Sequence, residues 1–140
     1  MDTKFNTHIK ITLEPIGSPE VKISVLDQVK QLVLNHESSF EFHTQSYAGN
    51  LVIAVEMLNK AHNDPSTAVV IKSITFNNVS HEKFAWQGCY RPDYPPHLAD
   101  QNPELPGQTY LSWNGRYELP VTVPIFTWMH RVLDFGWIHD

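Results

Sequence analysis

Short runs of alternating apolar and polar residues dominate the first 80 positions. Over 8–14, Ile9, Ile11 and Leu13 fall on one side and His8, Lys10 and Thr12 on the other, the period of a strand buried on one face. The breaker Pro15-Ile16-Gly17-Ser18-Pro19 follows, and Val21, Ile23 and Val25 repeat the alternation. Asp27-Gln28 predicts a hairpin turn into a strand over 29–34, where Val29, Leu32 and Val33 also satisfy helical spacing. Phe40 and Phe42 alternate with Glu41 and His43. Two longer runs, 51–58 and 68–76, are almost wholly apolar and free of proline. Both predict central strands, the first covered on both faces. Ala48-Gly49-Asn50, the polar stretch 59–67 and Asn77-Asn78 mark the turns between them.

The texture changes at His81. All four tryptophans and most of the prolines lie beyond it. The stretch 90–108, with Pro92, Pro95, Pro96, Pro103 and Pro106, forbids regular helix or interior strand and predicts a long loop held in order by its aromatics. Residues 110–113 and 117–123 read as strands joined by Asn114-Gly115 as a hairpin, with Pro120 and Pro124 favouring a sheet edge. Residues 125–134 fit either strand alternation or a short helix after Pro124. Many short strands with frequent turn signals predict an all-β fold: one antiparallel, jelly-roll-like β-sandwich domain over 1–140, with a Pro/aromatic-rich loop in its C-terminal half.

Composition narrows the function classes. The 140 residues carry a net charge of −5, and the ten Lys and Arg form no run, which argues against nucleic-acid binding. No stretch approaches the length of a membrane span and no signal peptide is visible, so the expected location is by default cytoplasmic or virion-associated. Cys89 stands alone, so no internal disulfide forms, and no catalytic-thiol signature surrounds it. Eight histidines leave open a metal site or pH switch beside the simpler reading of scattered surface histidines, and no metal ligands are assigned.

Three constellations carry candidate chemistry. Trp86, Tyr90, Tyr94, Trp113 and Tyr117, with Arg91 and Arg116 beside them, form a candidate ligand-binding set. Flat rings match the apolar C–H face of a sugar, and Tyr and Trp add a hydrogen-bonding rim. The same rings also suit a protein interface or core packing. The segments 86–94 and 113–117 are expected to lie side by side. A second group, residues 59–64, offers Asn and Asp oxygens to a hard cation such as calcium, but only Asp64 brings a carboxylate and Lys60 opposes it. The third, Trp128, His130, Asp134, His139 and Asp140, combines His and Asp as an acid/base pair or metal site would, without a nucleophile motif. No catalytic residue is assigned.

The stretch from Gly49 to Lys60, followed by Ala68 to Asn77, resembles the paired strands of carbohydrate-binding jelly-roll modules of the calcium-dependent xylan-binding type. The resemblance implies a jelly-roll fold, a glycan ligand and calcium. Asn59 matches the family's Asn, whereas Lys60 stands where an Asp would help bind calcium and sugar. No cofactor is assigned from the residues themselves. In texture, the C-terminal half also resembles small virion- or secretion-associated β-proteins. The leading expectation is a non-catalytic binding module for a glycan. Its alternatives are an assembly protein whose aromatic half meets a protein partner or forms a homo-oligomer, and a small enzyme using the His/Asp cluster.

Overall fold

The computed structural model describes residues 3–61, 64–94, 96–98 and 100–133. Its strands are β1 (Lys4–Ile16), β2 (Glu20–Val25), β3 (Gln28–Val33), β4 (Ser38–Tyr47), β5 (Gly49–Leu58), β6 (Ala68–Phe76), β7 (Val79–Ser80), β8 (Cys89–Pro92), β9 (Leu105–Pro106), β10 (Tyr110–Leu111) and β11 (Gly115–Val123). Helix α1 (Glu82–Trp86) precedes β8, and α2 (Ile125–Leu133) follows β11. The strands form two antiparallel sheets. The smaller runs β10-β6-β1-β4, with β7 also pairing β6, and the larger runs β3-β2-β5-β11-β8-β9. The all-β antiparallel sandwich expected from the alternation is the observed fold.

The alternation selects the inner faces. Ile9, Ile11 and Leu13 of β1, Phe42 of β4, and Ile71, Ile74 and Phe76 of β6 point inward from the smaller sheet. Val21, Ile23 and Val25 of β2, Leu51, Ile53, Val55 and Met57 of β5, and Tyr117, Leu119, Val121 and Val123 of β11 meet them from the larger. These side chains form one hydrophobic cluster. Phe76, Phe84 and Trp128 pack ring to ring at 5.2–5.6 Å where α1 and α2 come together. Of the two readings for 125–134, the helix forms.

Several local expectations are corrected. The strand expected over 29–34 forms as Gln28–Val33 in place of the helical alternative, but the turn before it is made by Leu26 in the left-handed region (φ 54) with Asp27, not by Asp27-Gln28. β5 is central, but its outer face is only partly covered: Val52 is 42% exposed while Ala54 beside it is buried. Asn114-Gly115 is not a hairpin. β10 pairs with β6 in the smaller sheet and β11 with β5 and β8 in the larger, so this dipeptide crosses between sheets. Glycine is required there by close approach, because a Cβ on Gly115 would lie 2.4 Å from the Arg91 carbonyl oxygen. The stretch 90–108 contains a short interior strand after all, since β8 lies between β11 and β9. Pro120 sits in an interior strand, but past the last residue paired with β8, so β11 has one neighbour there. Among the described residues, no helix is long and apolar enough to cross a membrane.

Ile53 and Ile71 test the two inner faces, being 0% and 3% exposed. Substitution of either by Ala should cost about 2–5 kcal/mol, read from urea unfolding.

Candidate ligand-binding site

The segments around β8 and the start of β11 lie side by side, with Tyr90 opposite Tyr117 and Arg91 opposite Arg116. Alternation then divides the candidate set. Tyr90 and Tyr117 point into the core, 1% and 0% exposed, and cannot belong to an open aromatic surface. They position that surface from behind. The Tyr90 hydroxyl donates to the Trp113 carbonyl and accepts from the Trp113 N–H at 3.2 Å. The Tyr117 hydroxyl donates to the Ala85 carbonyl at 2.5 Å. Burial pushes both phenols well above the usual tyrosine range, so they remain neutral donors.

Tyr94 and Trp113 are half-buried and meet edge to face, with centroids 6.4 Å apart and planes at 69°. The Tyr94 hydroxyl donates to the Asn102 carbonyl at 3.0 Å. The ammonium of Lys60 lies 5.2 Å from the centre of the Trp113 ring and donates to the carbonyls of Thr67 (2.7 Å) and Ser112 (2.6 Å). Desolvation lowers its pKa, with Asp64 opposing the shift. Asn114 fastens the same corner: its Oδ1 accepts from the Lys60 N–H at 2.9 Å and its Nδ2 donates to the Lys60 carbonyl at 2.8 Å. Trp86 is exposed on α1, a helix packed on β6 of the other sheet.

Arg91 and Arg116 lie on the outer face of the larger sheet and alternate with carboxylates. Arg116 pairs with Glu56 (3.1 Å) and Glu118 (2.8 Å), and Arg91 with Glu118 (2.5 Å) and Glu104 (3.1 Å). The hydrogen bond from Arg116 is the main reason Glu118 sits below the usual glutamate range. These half-exposed pairs add little stability singly, about 0–1 kcal/mol each, but they fix the direction of every charged group in the row. An open depression of about 390 Å³ lies at this end of the sheet, lined by Glu56, Asn59, Arg91, Asp93, Asn114 and Arg116 among others. A second, of about 340 Å³, shares Leu58 and Asn59 with it and continues past Glu20, Lys60 and Asp64. Glu56 and Glu118 were not singled out in the sequence. Glu56 is the lone charge of β5, and Glu118 stands two residues after Arg116 on the same face of β11.

The loop at 59–64 does not fit calcium. Both oxygens of Asp64 are engaged: Oδ1 accepts from the N–H groups of Ser66 and Thr67 and the Ser66 hydroxyl, and Oδ2 from the Thr67 hydroxyl at 2.5 Å. The nearby cation is the Lys60 ammonium, already on two carbonyls. Asn59, at φ 60, donates its amide to Glu20 at 2.6 Å. His62 and Asn63 lie outside the described residues. So do Asp134, His139 and Asp140 of the His/Asp cluster, whose remaining members Trp128 and His130 are buried at 6% and 5% exposure. Cys89, half-buried, stands near the outer row.

No family model matches the chain, and no curated protein matches it in sequence. Among solved structures, it is similar to vCBM60 in complex with galactobiose, with 15% identity over 80% of this chain and 96% of that one and a TM-score of 0.54. The likeness is one of fold: the two share a β-sandwich.

Hydrogen bonds from Thr67 and Ser66 lower the Asp64 pKa from 3.8 to about 2. A depressed carboxylate stabilises the fold above its unfolded value and loses that contribution as pH falls through the folded one. Acid unfolding of Asp64→Asn should therefore be flatter than wild type between pH 3.8 and about 2. Lys60→Met should destabilise the chain by about 1–3 kcal/mol in urea unfolding, because two backbone carbonyls lose their donor.

Proposed function

We propose that this protein is a non-catalytic glycan-binding module whose binding surface is the Trp113–Tyr94 corner and the depression beside it. The observation that carries the reading is the pair of half-buried rings, fixed edge to face, whose chain neighbours Asn114 and Asp93 line the depression. A sugar presents an apolar face to a ring and hydroxyls to its surroundings. Here the hydroxyls meet Asn59, Asp93, Asn114, Arg91, Arg116 and Glu56, which supply both donors and acceptors. The arrangement is set before the ligand arrives, because Tyr90, Lys60 and Asn114 hold the Trp113 segment, so little ordering cost falls on binding. The fold shared with a module solved on galactobiose supports the same class of ligand. Binding proceeds without calcium at the 59–64 loop, where Lys60 takes the place of an ion.

The test is a glycan array with the full chain, followed by titration with the oligosaccharides that bind. Trp113→Ala should weaken binding by about 1–3 kcal/mol, by analogy with stacking on other ring systems. Tyr90 grips the backbone of Trp113, not its ring, so this variant should keep its fold. Trp86→Ala should bind as wild type, and a chelator should leave binding unchanged. Absence of any array signal overturns the reading. A wild-type oligomer that Trp113→Ala dissociates would assign the corner to a protein interface instead.

A further inference from the structure

We propose that His8, Glu41 and His43 form a binding site for a divalent transition ion of the zinc type, on the outer face of the smaller sheet. The three side chains come from neighbouring antiparallel strands. His8 of β1 lies directly opposite His43 of β4, and Lys10 lies opposite Glu41. All face away from the core, since Ile9, Ile11 and Phe42 occupy the inward positions.

The two imidazoles stack almost parallel, with centroids 4.3 Å apart and planes at 3°. His8 Nε2 lies 2.7 Å from Glu41 Oε1. One ligand atom from each of the three residues can be chosen so that all lie within 4.8 Å of one another. Around a tetrahedral zinc ion, ligand atoms at about 2.1 Å from the metal stand roughly 3.4 Å apart. Closing from 4.8 Å to that spacing asks the stacked rings to turn about their side-chain bonds, with Glu41 and His43 exposed and His8 half-buried. A metal there would replace the hydrogen bond between His8 and Glu41.

The backbone of each ligand residue is separately anchored. The His8 N–H donates to Asn77 Oδ1 at 2.8 Å. The Gln28 amide donates to the His43 carbonyl at 2.9 Å, and the Lys30 ammonium to the Glu41 carbonyl at 3.1 Å. β1 is itself clamped between β4 and β6. The ligands therefore stand on a rigid ladder, with three side chains from other elements holding them in register. Two neutral imidazoles and one carboxylate suit zinc, copper or nickel, whereas calcium and magnesium prefer an all-oxygen shell. The set leaves a coordination position to water. Lys10, opposite Glu41, and Lys30, on the Glu41 carbonyl, are exposed cations beside the site, and their opposition is screened by solvent. This site lies on the opposite sheet from the Trp113 corner and does not depend on the glycan reading.

Zinc chloride titrated into the metal-stripped full chain should show one saturable site by calorimetry. His43→Gln, His8→Gln and Glu41→Gln should each weaken it roughly tenfold or more. Zinc should also raise the thermal midpoint of the wild type and not of His43→Gln, because an ion bound to the folded state stabilises it. His36→Gln, altering an exposed histidine elsewhere, should bind zinc as wild type does. Circular dichroism before titration establishes that the variants are folded. Absence of saturable zinc binding overturns the site, as does equal binding by wild type and His43→Gln. Calcium binding lost in the same variants would overturn its assignment to a transition ion.

Discussion

Two buried phenol hydroxyls hold the C-terminal half of this sandwich in place. Tyr90 and Tyr117 sit opposite each other on β8 and β11, and each sends its hydroxyl to a main-chain carbonyl of a segment that has no sheet partner of its own. One grips the crossover at Trp113, and the other the end of α1 at Ala85. A phenol buried without a partner would cost roughly 1–3 kcal/mol, so the carbonyl and the hydroxyl need each other. Glycines make room for this arrangement. A side chain at Gly88 would meet the Tyr117 ring at 2.3 Å, and one at Gly115 would strike the β8 backbone. The proline-rich stretch between them can then run over the surface, because its ends are tied from inside.

The same corner answers an electrostatic problem. Backbone carbonyls of Thr67 and Ser112 point at one place, and an Asn-rich loop passes beside them. Here the Lys60 ammonium sits on both carbonyls and over the Trp113 ring, and Asp64 is spent on its own turn. A tethered cation needs no binding equilibrium with the solvent. It holds the aromatic corner whatever the calcium concentration, and it removes a free carboxylate–metal pair from any recognition there. The outer row Glu56-Arg116-Glu118-Arg91 is likewise fixed by its own ion pairs.

The fold was legible in the sequence wherever alternation ran for more than a few residues. The run 68–76 is a strand with those bounds, and the inward residues of β1 and β2 are the ones alternation selected. What alternation does not encode is which sheet a strand joins. Asn114-Gly115 has hairpin chemistry, yet β10 and β11 belong to different sheets, because Gly115 answers a close approach from β8 that is visible only in three dimensions. The aromatic set was legible as a neighbourhood and not as a surface. β8 spans only Cys89–Pro92, too short for a period to declare which side faces the core, so Tyr90 and Tyr117 read the same as Tyr94 and Trp113. His8 and His43 each read as an outward residue of a strand. Their meeting depends on the β1–β4 register, which the sequence does not print.

The two outer faces of the sandwich are chemically unlike, and the difference follows from strand order. In the larger sheet, β5 and β11 place carboxylates and guanidinium groups in adjacent rows, so each charge finds an opposite neighbour at hydrogen-bonding distance. The charges of this row are paired, so their directions are fixed. In the smaller sheet, β1 and β4 set histidine against histidine, beside a carboxylate whose described partner is one of those imidazoles. An imidazole pair does not neutralise itself. It gains a common partner only from something that both nitrogens can bind, and water or a soft divalent ion meets that requirement where an arginine would not. Pairing register alone thus gives one sheet an outer row of paired charges and the other a pair of stacked imidazoles beside a carboxylate.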